Sequence, residues 1–98
     1  MDLVHDPERR RYYFEVPEGE AYVTYVDSDG SRVLDYSYVS PSLRGTGIAS
    51  QLVRQTFEMV MEEGIPSYPA CSYIRFIATR NPTWRAYFID EPNQSQGV

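Results

Sequence analysis

Val39-Ser40-Pro41-Ser42-Leu43-Arg44-Gly45-Thr46-Gly47-Ile48-Ala49 is the stretch on which the reading of this 98-residue chain turns. An alternating strand stops at a proline, turns through two glycines and restarts as a helix. The first N–H groups of a helix have no partner within it, and the helix dipole adds positive potential there, so such a junction attracts an anion. Gly45 and Gly47 can take φ > 0 and bring the backbone close to a ligand without a Cβ in the way. Arg44 adds a planar, permanently charged set of donors. A diphosphate is the natural candidate for this cradle.

Downstream, from Gly47 to Glu63, Ile48, Ala49, Leu52, Val53, Phe57, Val60 and Met61 recur at three- and four-residue steps, with Ser50, Gln51, Arg54, Gln55, Glu58 and Glu62 opposite. This is an amphipathic helix of more than four turns. Gly64 stands where a left-handed cap is expected, and Pro66 prevents continuation. Ile65–Ala70 carries two prolines, which only an edge strand accepts. Cys71–Arg80 reads as a short helix with Ser72 as its cap, a strand being the alternative, Pro82 opens a last short helix whose Trp84, Tyr87 and Phe88 close the core, and Asp90–Val98 reads as a mobile polar tail.

Upstream, Arg11–Val16, Glu20–Val26 and Arg32–Val39 read as three strands joined by Pro17-Glu18-Gly19 and by Asp27-Ser28-Asp29-Gly30, a three-stranded antiparallel meander. In the third strand Val33, Asp35, Ser37 and Val39 alternate with Leu34, Tyr36 and Tyr38. Both faces are partly apolar, as in a strand covered on both sides. Residues 1–10 read as a lead-in, and the lone His5 within it as a solvated or packing residue rather than a general base. The expected fold is a single α/β (α+β) domain over residues 1–98. It has a mainly antiparallel sheet, one long helix, a further strand and short C-terminal helices.

Composition narrows the function. Hydrophobic residues make up 42% of the chain, enough for a packed core, and nine tyrosines make that core aromatic. A net charge of −5 with no basic stripe argues against nucleic acid. One cysteine and one histidine supply no zinc set. No apolar run approaches the length of a bilayer span and no secretory signal is seen, so a cytoplasmic protein without membrane attachment is expected.

Arg44-Gly45-Thr46-Gly47-Ile48-Ala49 resembles the acetyl-CoA-binding signature of the GCN5-related N-acetyltransferases (GNAT), of the form [R/Q]-x-x-G-x-[G/A]. The strand ending in V-x-P-x-L before it, the long helix after it and the P-x-C-x-Y element around Cys71 add to the likeness. Together they resemble the minimal, single-domain YjdJ-type branch over about Phe14–Phe88. The resemblance implies a mostly antiparallel sheet with helices on its faces. It also implies that the amides of Arg44, Gly45, Thr46, Gly47, Ile48 and Ala49 hold the coenzyme A pyrophosphate. Pantetheine would run beside Tyr38 and Val39, and the acetyl thioester would point toward Cys71. The branch usually carries a His-Thr pair where this chain has Tyr36-Ser37, and the family's acceptor-shaping helices are replaced by the Pro17-Glu18-Gly19 turn.

Two readings of Cys71 stand side by side: core packing, the common lot of a free cysteine, and an acyl carrier activated at a helix start. For direct attack by an amine, Asp35, Glu15 and Glu20 are the carboxylate candidates for the base and Tyr73 is the proton donor. The function expected is transfer of an acetyl group from acetyl-CoA to an unidentified amine. The alternative is a non-catalytic coenzyme A-binding or protein-interaction module. An exposed aromatic face on so small a domain can support a homodimer.

Overall fold

Four antiparallel strands follow one another directly, β1 Leu3–Asp6, β2 Arg11–Val16, β3 Gly19–Ser28 and β4 Ser31–Val39, and a short β5, Ser67–Pro69, lies parallel to β4 at the far edge. These come from a computed structural model that describes residues 1–89; the tail expected over Asp90–Val98 lies outside them. A 3₁₀ turn at Pro41–Leu43 leads into the long helix α1, Ile48–Glu63. The short helices α2, Ser72–Ala78, and α3, Pro82–Trp84, follow, and α3 runs on into a π-helical turn at Arg85–Ile89.

The lead-in is more than a lead-in. Leu3 pairs with Phe14 and His5 with Tyr12, so the meander has four strands rather than three. Four residues with a charged end carry too little alternation to announce a strand, and what holds this one is distant in sequence. The β3–β4 turn places both Asp29 (φ 50°) and Gly30 (φ 80°) in the left-handed region, the pair a two-residue hairpin loop requires.

The central departure lies in β4. Thr24 faces Tyr36 but Tyr25 faces Leu34, which leaves Asp35 without a partner in a bulge. Alternation changes phase there. Arg32 and Leu34 are buried before it and Val39 after it, on the same side of the sheet. A strand with apolar residues on both faces therefore has only one face covered, and Tyr36 stands 51% exposed on the other.

On the covered face Leu52, Val53, Phe57 and Val60 of α1 meet Tyr12, Phe14, Val23 and Leu34 of the sheet, all buried in one cluster. Ile74 and Ile77 of α2 extend it, and Phe88 closes it with its ring centroid 4.4 Å from that of Phe57. Gly64 caps α1 at φ 72°, its N–H donating to Met61 and Val60. Cys71, not Ser72, is the N-cap position of α2 and makes no side-chain cap bond. Asn81 caps α3, accepting from the N–H groups of Thr83 at 2.8 Å and Trp84 at 3.1 Å.

Candidate functional site

The junction between β4 and α1 is built from its supports upward. Leu43 is buried and pins the 3₁₀ turn to the core. The β2–β3 turn braces the loop from outside: Ser40 Oγ accepts from the Glu20 N–H at 2.8 Å, and Ser42 Oγ donates to the Glu18 carbonyl at 3.0 Å. Gly19 lies so close that a Cβ there would sit 2.6 Å from Ser40 Oγ. Thr46 Oγ1 donates to the Leu43 carbonyl at 2.6 Å, and Arg44 Nε donates to the Val39 carbonyl at 3.0 Å.

With the loop so held, Gly45 (φ 83°) and Gly47 (φ 82°) both take the left-handed conformation. Gly47 is the N-cap of α1 and has no side chain to bond the first turn. The backbone N–H groups of Gly45 through Ser50 donate to nothing among the described residues. Gln51 N–H is the first to do so, reaching the Gly47 carbonyl at 3.2 Å. A run of unspent amides at the positive end of a sixteen-residue helix is the donor arrangement that attracts an anion.

Beside the cradle the sheet opens. β5 pairs with β4 only from Arg32 to Leu34, and the Ala70 and Cys71 N–H groups make the last ties, both to the Leu34 carbonyl at 2.9 and 3.4 Å. Past the bulge β4 therefore has no strand beyond it among the described residues, and a cavity of about 380 Å³ fills the gap. Tyr36, Ser37, Tyr38 and Val39 form one wall; Arg44, Ala49, Leu52 and Tyr73 form the other.

The structure thus brings Tyr38, Val39, Arg44 and Ala49 together, with Gly45, Thr46 and Gly47 in the adjoining loop. Ile48 is only 7% exposed and belongs to the core, so what it can offer a ligand is its backbone N–H, which donates to nothing among the described residues. Cys71 is half-buried behind the wall, with Sγ 3.9 Å from Ser37 Oγ. Leu52 entered the sequence reading only as a core residue, and Tyr36-Ser37 only as a departure from the family; the bulge beside Tyr36 has no local sequence mark.

The proposed bases lie elsewhere. Glu15 and Glu20 sit on the outer face of the sheet, and Asp35 at the bulge accepts from Thr24 Oγ1 at 2.7 Å. His5 is at the opposite end of the molecule, where its Nδ1 lies 3.0 Å from Glu63 Oε2 and its Nε2 meets the Tyr25 hydroxyl. Tyr12 donates to Glu63 Oε1 at 2.9 Å and accepts from Arg32 Nη1 at 2.8 Å; Arg32 also holds Asp27 through Nε and Nη2. Burial, with the hydrogen bond to Glu63, pushes the Tyr12 hydroxyl far above its ordinary range, and burial raises that of Tyr25. The hydrogen bond from Arg32 lowers the Asp27 carboxyl. Among the described residues no helix is long and apolar enough to cross a membrane.

Residues 11–87 match the family model described as GCN5-related N-acetyl-transferase. The match spans most of the chain, both walls of the gap and the whole cradle. The chain belongs to the GCN5-related N-acetyltransferase family.

Proposed function

We propose that this member of the family binds acetyl-CoA at the β4–α1 junction and transfers its acetyl group to an amine. The observation that carries the reading is the run of unspent amides from Gly45 to Ser50, opened by two left-handed glycines beside a gap in the sheet. A pyrophosphate would suit that donor set: several unspent N–H groups, the helix dipole behind them, no Cβ at Gly45 or Gly47. Arg44, with Nε spent on Val39, keeps its two terminal nitrogens for phosphate oxygens. Tyr38 and Val39 would flank the pantetheine arm, since the free edge of β4 offers backbone groups for it to pair with.

Acetyl-CoA supplies an activated thioester; the chain supplies placement and a route for protons. Tyr73, in the cavity wall, is the candidate proton donor to the leaving sulfur. Cys71 offers a two-step route. Its sulfur bonds to the acetyl carbon as the bond to the coenzyme A sulfur breaks, and the thiol proton leaves with coenzyme A. An amine then takes the acetyl group and returns a proton to Sγ. Mass spectra of the intact protein after incubation with acetyl-CoA test this: an added acetyl group on the wild type, lost in Cys71→Ala, supports the carrier. A noncovalent complex equal in both assigns Cys71 to packing. No complex in either protein overturns the cradle.

A second reading, a coenzyme A-binding module without catalysis, is favoured by one observation. Among the described residues the cavity wall carries neither a carboxylate nor an imidazole. An amine screen with acetyl-CoA separates the two, since a binder yields no acetylated product.

A further inference from the structure

We infer that the outer face of the sheet is a docking surface for an extended, lysine-bearing segment of a partner protein. The core built by α1, α2 and the closing turn lies on one face only, and no strand side chain on the other face is buried. Register places Val4 beside Tyr13, Tyr13 beside Tyr22 and Tyr22 beside Tyr38, so an apolar and aromatic row crosses four strands. The exposed Tyr36 extends it toward the bulge.

Charge selects the occupant. Glu15 and Glu20 stand directly opposite each other across β2 and β3, an arrangement that weakens a strand pair. Neither forms an ion pair among the described residues, and Asp35 is met only by the Thr24 hydroxyl. The guanidinium of Arg11 lies 4.2 Å from the centre of the Tyr22 ring, so the tyrosine row already receives one cation; Arg9, at the rim, is 3.8 Å from Asp6. A hollow of about 490 Å³ on this face is lined by the Tyr13–Tyr22 and Glu15–Glu20 pairs and by Arg9 and Arg11, whose guanidinium groups lie against Asp6 and the Tyr22 ring. A nucleic acid would be repelled, and a second copy, which brings its own arginines as well as its own glutamates, is separated by the concentration dependence in the test below. A lysine-bearing strand would place ammonium groups at the glutamates and methylene stems over the tyrosines. Flat and open across four strands, the face suits an extended polypeptide better than a compact amine.

The face is also continuous with the gap. Tyr38 packs on Tyr22 with ring centroids 5.5 Å apart, and Tyr36 and Tyr38 form part of the cavity wall. Docking stands without the acetyl-transfer reading; delivery of a lysine rests on it. In that case the amine nitrogen bonds to the acetyl carbon as the thioester C–S bond breaks, and the amine's proton ends on the coenzyme A thiol.

The test uses a synthetic decapeptide of alternating lysine and threonine, titrated calorimetrically and by amide NMR without acetyl-CoA. We expect saturable binding with shifts confined to β2–β4, weakened about tenfold by E15Q/E20Q and little by E58Q/E62Q, two exposed carboxylates on α1. E15Q/E20Q should fold at least as stably as the wild type, because it removes the opposed charges. Equal weakening by the two double variants, equally tight binding of spermidine, or β2–β4 shifts that depend on protein concentration without peptide would each overturn the proposal. Peptide binding without acetylation in the presence of acetyl-CoA would overturn delivery and leave docking in place.

Discussion

The two ends of α1 are built on opposite principles. At its C-terminal end Glu63, His5, Tyr25, Tyr12, Arg32 and Asp27 saturate one another and tie β1, β2, β3 and β4 to the helix. At its N-terminal end six consecutive amides donate to nothing among the described residues, and two glycines hold a left-handed loop open. A polar network that is satisfied contributes rigidity; polar groups held ready and unsatisfied are what a ligand can use. The difference teaches where to expect stability and where to expect chemistry. A lone histidine, the usual first suspect for catalysis, belongs to the structural end.

Arg32→Ala should break this contrast most visibly. The side chain is 10% exposed and serves Asp27, Tyr12 and the ring of Tyr25, 3.9 Å away. Removing one partner of a buried charged network costs about 3–5 kcal/mol. Urea unfolding should show that loss, while coenzyme A affinity of the folded fraction stays within about twofold of wild type. A comparable fall in affinity would mean that the two ends are coupled through α1.

Gly19→Ala attacks the site end through its scaffold. A Cβ 2.7 Å from Ser40 Cβ forces the β2–β3 turn off the loop, an overpacking cost of about 1–3 kcal/mol. Stability and coenzyme A affinity should fall together. Gly47→Ala sharpens the contrast from the other side. Nothing lies within 4 Å of the added carbon, so only the φ of 82° is strained, at about 1–2 kcal/mol. Calorimetry should show affinity falling by more than that strain accounts for, because the first amides of the helix turn away from the ligand. Unchanged affinity would remove the cradle from the proposed function.

The open end was legible in the sequence because its signals are local. Gly45, Gly47 and Gly64 each mark a left-handed position, the apolar period of α1 is continuous, and Pro66 and Pro69 confine β5 to an edge. The saturated end was not. His5 meets Glu63 across 58 positions, and nothing near either residue announces the other. The bulge at Asp35 was equally silent, since a phase change in a strand looks like a strand with two apolar faces. The bulge keeps Val39, and with it Ser37, on the covered face and leaves Tyr36 and Tyr38 on the bare one, and all four line the gap. A reading by alternation therefore missed both for one physical reason.

The smallest effect concerns the protons of the saturated end. Asp27 has its carboxyl lowered by Arg32, so its contribution is present above the unfolded value near pH 3.9 and is lost as pH falls through the lower, folded value. With its side chain 55% exposed, the contribution is no more than about 1 kcal/mol. Asp27→Asn should flatten the acid limb of a stability-against-pH curve by that amount and leave neutral pH nearly unchanged. Tyr12 and Tyr25 run the other way. Their hydroxyls are raised by burial, so the folded state holds protons that the unfolded chain releases, and stability falls as pH climbs beyond about 10. Tyr12→Phe keeps the ring and removes the titrating group, and should make the alkaline limb shallower. Alkaline unfolding that is just as steep in Tyr12→Phe would move the sensitivity to other tyrosines and detach it from the Glu63 network.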